Sequence, residues 1–121
     1  MFLKLNHQFL DIYNVSKSFV LECYKLTKHL PADEKLGMIT QIRRAALSVH
    51  LNIAEGASRR SDAERKRFYE IARGSIIEID ATLDIANDLA YLQEYAFEDL
   101  GNKLVRCFQM LSKLISGNSS N

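Results

Sequence analysis

Proline occurs once and glycine five times in 121 residues. That is too little turn punctuation for a protein of many short strands. No stretch approaches the roughly 20 consecutive apolar residues that a membrane span requires, and the opening MFLKLNHQFL lacks the long apolar core and small-residue cleavage site of an export signal. Neither insertion nor a membrane partner is expected. The two cysteines, Cys23 and Cys107, lie far apart and outside any C-x-x-C pair, which excludes zinc-ribbon and thioredoxin-type readings. Each falls on an apolar helical stripe, as reduced core thiols of a cytoplasmic protein do.

Recognisable catalytic chemistry is also missing. His7, His29 and His50 are scattered and form no His-x3–5-His or Cys-x2–4-Cys pair, so they read as ordinary surface or capping histidines. Glu-x-x-His, which a di-iron helical bundle needs, does not occur. Nor do the P-loop, G-x-G-x-x-G or G-x-S-x-G elements. The expectation is a non-enzyme with no metal and no cofactor.

What is present is long helical periodicity. Apolar content of 47% and charged content of 26% are globular values, and the length suits one domain over residues 1–121. Phe9, Ile12, Tyr13, Ser16, Val20, Cys23, Tyr24 and Thr27 recur at helical spacing. Leu30-Pro31 breaks that pattern, and Asp33 and Glu34 suit the start of the next helix. Ser61-Asp62-Ala63-Glu64 is a capping box. Helices are expected at about 8–29, 33–58, 62–92 and 97–116, with a frayed tail at 117–121. The third helix buries Phe68, Ala72, Ser75, Ile79, Leu83, Ala86 and Ala90, and the fourth turns Phe97, Leu100, Leu104, Cys107, Phe108, Leu111, Leu114 and Ile115 inward. Gly74, inside an otherwise strong helix, suggests the close approach of another backbone. Connections this short make neighbouring helices antiparallel. The expected fold is all-α, an up-down-up-down four-helix bundle.

The stretch Gln41–Ser61 departs from a plain amphipathic helix. Met38, Ile42, Ala45, Val49, Ile53 and Gly56 make a core stripe, with Ala46 beside them. A second stripe holds Gln41, Arg44, Ser48, Asn52, Glu55 and Arg59, with Leu47 and Leu51 on its shoulders. The carboxylates Glu55 and Glu78 come closest to an acid/base pair. A structural polar network of Gln41, Arg44, Ser48, Asn52, Glu55, Ser75 and Glu78 is the better reading, because a buried carboxylate needs partners of these types.

Net charge is only +1, so no polyelectrolyte argument applies to the whole chain. Its distribution is uneven. Residues 42–73 carry eight cations against four acids, net +4, whereas residues 74–100 carry seven acids and no Lys or Arg. Arg59, Arg60, Arg65, Lys66 and Arg67 gather where the second helix ends and the third begins. Three readings stay open: contact with RNA or DNA backbone, pairing with the Asp80, Asp84 and Asp88 stripe of a neighbouring subunit, or an ordinary solvated pattern.

Several motifs carry a family resemblance: Tyr24-x-x-Thr27, Leu30-Pro31-x-x-Glu34, Gln41-Ile42-Arg43-Arg44-Ala45-Ala46-x-Ser48, Asn52-Ile53-Ala54-Glu55-Gly56, Arg59 with Ser61, and Ala72-Arg73-Gly74-Ser75-x-x-Glu78. Over about residues 9–92 the chain resembles the bacterial four-helix bundle proteins encoded in intervening sequences of large-subunit ribosomal RNA genes. Phe9 stands where many members have tryptophan, and His50 where proline or a small residue is commoner, which would leave the second helix straighter. The resemblance implies a ring-shaped homopentamer. It extends to the accessory protein of diversity-generating retroelements, which binds reverse transcriptase and nucleic acid, so a polymerase partner is a further expectation. In such a ring, Leu47, Leu51, Ile77, Ala81, Ile85 and Leu92 are the expected subunit contacts.

Overall fold

The computed structural model describes residues 1–117, and these contain four α-helices and no strand. They are α1 (Asp11–Thr27), α2 (Met38–Ala57), α3 (Asp62–Asp88) and α4 (Glu98–Ile115), with 3-10 turns at Asn6–Phe9 and Ala32–Glu34. The Phe9 side chain, and the fraying expected from residue 118 onward, lie outside what is described. The helices touch in a cycle, α1 on α2, α2 on α3, α3 on α4 and α4 on α1, while the diagonal pairs do not meet among the described residues. This is a four-helix bundle around one core.

That core is built from Ile12, Phe19, Cys23 and Leu26 of α1, Ile42, Ala46, Val49 and Ile53 of α2, Ala72, Ile76 and Ile79 of α3, and Leu100, Cys107 and Leu111 of α4. Phe19 and Leu26 are fully buried although they stand outside the single stripe read from the first helix. Because α1 packs against both α2 and α4, its apolar arc is wider than one line of residues. The third-helix face is displaced in the same way, with Tyr69 and Ile76 buried, Phe68 half-buried and Ala90 exposed. In α4 the expected inward residues Phe97 and Phe108 are instead 44% and 37% exposed.

Two helix ends differ from expectation for identifiable reasons. α2 begins at Met38 rather than near residue 33. Glu34 folds back so that its Oε1 accepts from the Met38 backbone N–H at 3.2 Å, while Oε2 accepts from the Tyr91 hydroxyl at 3.1 Å. The carboxylate thus satisfies a donor that the new helix would leave orphaned. α3 stops at Asp88 rather than Leu92, because Ala90 adopts a left-handed conformation at φ 62°. The Tyr91 N–H then donates to the Ala86 carbonyl and the Ala90 N–H to the Asn87 carbonyl, both at 3.0 Å. This is a Schellman ending with alanine where glycine is usual.

The α2–α3 corner follows the capping box. Ser61 Oγ accepts from the Glu64 N–H at 3.0 Å and starts α3. The close approach expected at Gly74 occurs instead at Gly56. A Cβ on Gly56 would lie 2.9 Å from Phe68 Cβ and 3.0 Å from Tyr69 Cε1, whereas one on Gly74 would meet nothing within 4 Å.

Candidate functional surfaces

The polar stripe of α2 resolves into separate pieces. At the middle of the α2–α3 seam, Ser75 Oγ donates to Ser48 Oγ at 3.0 Å, and Asn52 Nδ2 donates to Ser48 Oγ at 3.1 Å and to the Ser48 carbonyl at 2.8 Å. Ser75 is buried, so this cluster meets the demand of a polar group withdrawn from water. Gln41 Nε2 donates to Glu78 Oε1 near the start of α2. Glu55 instead pairs with Arg59 at 2.7 Å on its own helix. Gln41 and Glu55 are separated by about 20 Å of helix, so Glu55 and Glu78 are not neighbours. Arg44 is exposed and among the described residues has no hydrogen-bond or ion-pair partner. Of the seven, Ser48, Asn52 and Ser75 form a small seam cluster and Gln41 pairs with Glu78 beside it, while Glu55 and Arg44 stand apart from both, so Glu55 and Glu78 do not make an acid/base pair.

Two contacts that sequence reasoning missed explain a motif and a departure from it. Arg43 Nε donates to Thr27 Oγ1 at 2.8 Å while its guanidinium lies 4.7 Å from the Tyr24 ring centroid, fastening α1 to α2. Their joint occurrence in the resemblance, with Tyr24 and Thr27 one helical turn apart, was the available signal. His50, expected on the surface, is half-buried. Its Nδ1 lies 2.8 Å from Ser16 Oγ and its ring 4.6 Å from that of Tyr13. Ser16 on an apolar stripe, requiring a polar partner, was the sign of it.

The basic end is partly neutralised within the chain. Arg65 Nη1 donates to the carbonyls of Arg59 at 3.0 Å and Arg60 at 2.8 Å, so it caps the exposed acceptors at the end of α2. Its Nη2 and Lys66 Nζ share the Asp62 carboxylate at 3.4 and 3.2 Å. Asp62 is accordingly held below its usual pKa, by Lys66 first and then by Arg65. Arg59 is paired with Glu55 and lies 5.1 Å from the Phe68 ring centroid. Arg60 and Arg67 are exposed and without such partners among the described residues. They are the two uncommitted cations of the five.

Five of the six expected subunit contacts fall on two surfaces. Leu47, Leu51, Ala81 and Ile85 are exposed on the outer side of α2 and α3, where Ile71 and Leu89 join them at 44% and 50% exposure. Ile77 belongs elsewhere, since it lines a cleft against α4 with Val105 and Phe108. Leu92 is not on the outside at all. The end of α3 at Asp88 folds the following turn inward and buries Leu92 in the core.

Reactive groups are shielded. Both cysteines are free and buried, and burial pushes each thiol up to about 12, leaving negligible thiolate to act as a nucleophile at neutral pH. Among the described residues, no three His, Cys, Asp or Glu side chains are grouped to hold a metal ion, and no helix is long and apolar enough to cross a membrane.

These features define a helical-bundle protein whose distinctive chemistry lies on its outer faces. The profile of the family described as 23S rRNA-intervening sequence protein matches residues 8–113, and the chain belongs to that family. No curated protein matches it.

Proposed function

We propose that this chain is a non-enzymatic, cytoplasmic homo-oligomer that contacts the phosphate backbone of RNA or DNA with its α2–α3 corner. Its helices follow an antiparallel up-down-up-down course, supported by Gln41 meeting Glu78 while Gly56 meets Phe68. The assembly is a ring-shaped homopentamer by family resemblance. It is sealed by the apolar outer residues Leu47, Leu51, Ala81 and Ile85. The observation that carries self-association is the set of large aliphatic side chains standing outside a core that is already complete, because monomeric proteins seldom expose extended apolar patches.

The uncommitted pair Arg60 and Arg67 carries the nucleic-acid reading. Repeated around a ring, two cations per subunit make a phosphate-contacting rim that is blind to sequence. Binding of a labelled RNA duplex across a salt series tests this. Arg60→Ala with Arg67→Ala should lower the salt slope by roughly one for each phosphate that is no longer neutralised, and Arg59→Ala, whose side chain is already paired, should change it less. An unchanged slope in the double variant rejects this surface.

A second reading has its own support. Three of the five corner cations are satisfied inside the chain, which suits a rigid corner docking a protein such as a polymerase or reverse transcriptase. Co-purification from the native host that yields a protein at a salt concentration stripping nucleic acid favours this scaffold reading.

A further inference from the structure

The chain exposes a second apolar feature, distinct from the α2–α3 face. In the segment before the first turn, Met1 is 94%, Phe2 86%, Leu3 64% and Leu5 40% exposed. Four of its five residues are apolar and the fifth is Lys4. On the far side of the bundle a cleft of about 470 Å³ runs between α3 and α4, floored by Leu83, Leu100 and Leu104 and edged by Asp80 and Asp84. It continues past Val105 toward Phe108. Gly101 lines it, and a Cβ there would meet nothing within 4 Å, so the missing side chain helps hold the cleft open.

We propose that the Met1–Leu5 segment of one chain docks into the α3–α4 cleft of a second copy. Length, charge and reach each support this occupant. An extended five-residue segment spans about 17 Å, and the α4 edge from Phe97 to Phe108 runs about 16 Å. The segment's only charged side chain is cationic and the cleft edge is acidic, and in an extended segment Phe2 and Lys4 share one face, so Phe2 enters the apolar floor and Lys4 meets Asp80 or Asp84 while Leu3 faces outward. The same chain's segment cannot reach the far end of its own cleft floor. The turn after the segment lies against α1 and α2, with His7 5.3 Å from the Tyr13 ring, whereas the cleft reaches Leu26. Leu26 stands about 24 Å along α1 from Leu10, and the segment reaches back only about 14 Å from Leu5.

Exchange of this kind places a donor surface of one chain against an acceptor surface of the next. Such a heterologous contact closes into a ring when the rotation allows. It rests on the self-association reading above but uses different residues.

Chains carrying Leu3→Cys are mixed with chains carrying Val105→Cys and treated with a short bismaleimide. A mixed cross-linked dimer is expected. Its yield should fall about tenfold when Phe2→Asp is added to the first chain, the loss of one buried large apolar group, and similarly when Gly101→Leu fills the cleft of the second. Gly101→Leu replaces a weak helix former with a strong one, so α4 is not compromised by it. Light scattering on the same wild-type preparation separates the two readings. An oligomer with no mixed cross-link overturns segment exchange and leaves self-association standing, whereas a monomer with no cross-link overturns both. Cross-linking within one chain of the Leu3→Cys, Val105→Cys double variant at high dilution also overturns exchange.

Discussion

His50 is held where its charged form is disfavoured. The Ser16 hydroxyl donates to the Tyr13 carbonyl at 3.0 Å and lies 2.8 Å from His50 Nδ1. Burial, then the charges of Lys17 and His7, lower the imidazole pKa from 6.5. The folded state therefore binds this proton less readily than the unfolded chain does. The stability that His50 contributes is complete above the unfolded value and is lost as pH falls through the folded one. Between about pH 7 and about pH 5 the urea midpoint should drop more in the wild type than in His50→Gln; equal drops would mean that His50 does not set this pH dependence. Glycine positions give a sharper contrast. Gly56→Ala should destabilise by about 1–3 kcal/mol, since its methyl would press on Phe68 and Tyr69. Gly74→Ala, whose Cβ would meet nothing within 4 Å in the single chain, should stabilise the monomeric fold by up to about 1 kcal/mol. Denaturant melts of both variants at low protein concentration check the pair, and a costly Gly74→Ala there would contradict the open site.

Each helix end was legible only where its chemistry was local. Ser61 and Glu64 are three residues apart, and their capping box could be read from the sequence alone. The end of α3 could not, because the left-handed position is occupied by Ala90 and no glycine marks it. Neither could the start of α2, because the carboxylate of Glu34 is shared with Tyr91, 57 residues away. Ala90→Gly should stabilise the protein by roughly 0.5–1 kcal/mol by relieving the left-handed alanine. A lower thermal midpoint for that variant would mean the strain is absent. The periodic stripes located the core of α2 well. They served α1 less well, where Phe19 and Leu26 are buried beyond the main stripe. The polar stripe of α2 and its α3 partners Ser75 and Glu78 were visible in sequence. Which residue of the stripe each one meets depends on the α2–α3 register, and Glu55 took a partner on its own helix instead.

At the scale of the whole molecule, the core is completed by one chain and the unused chemistry is external. There is an aliphatic face on α2 and α3, an acid-edged cleft between α3 and α4, and a corner with two uncommitted arginines. Composition alone, with a net charge of +1, conceals this division. With the α2–α3 face proposed as a contact between copies, the mass of the protein in solution is the deciding quantity. The chain mass is 13.8 kDa. Light scattering should give a multiple of it for the wild type, five for the ring. Leu51→Glu with Ile85→Glu should return the protein to single-chain mass with its helical circular dichroism intact, because both residues already face solvent in the single chain. A wild-type protein of single-chain mass at high concentration, or a double variant that keeps the full oligomer, would contradict it.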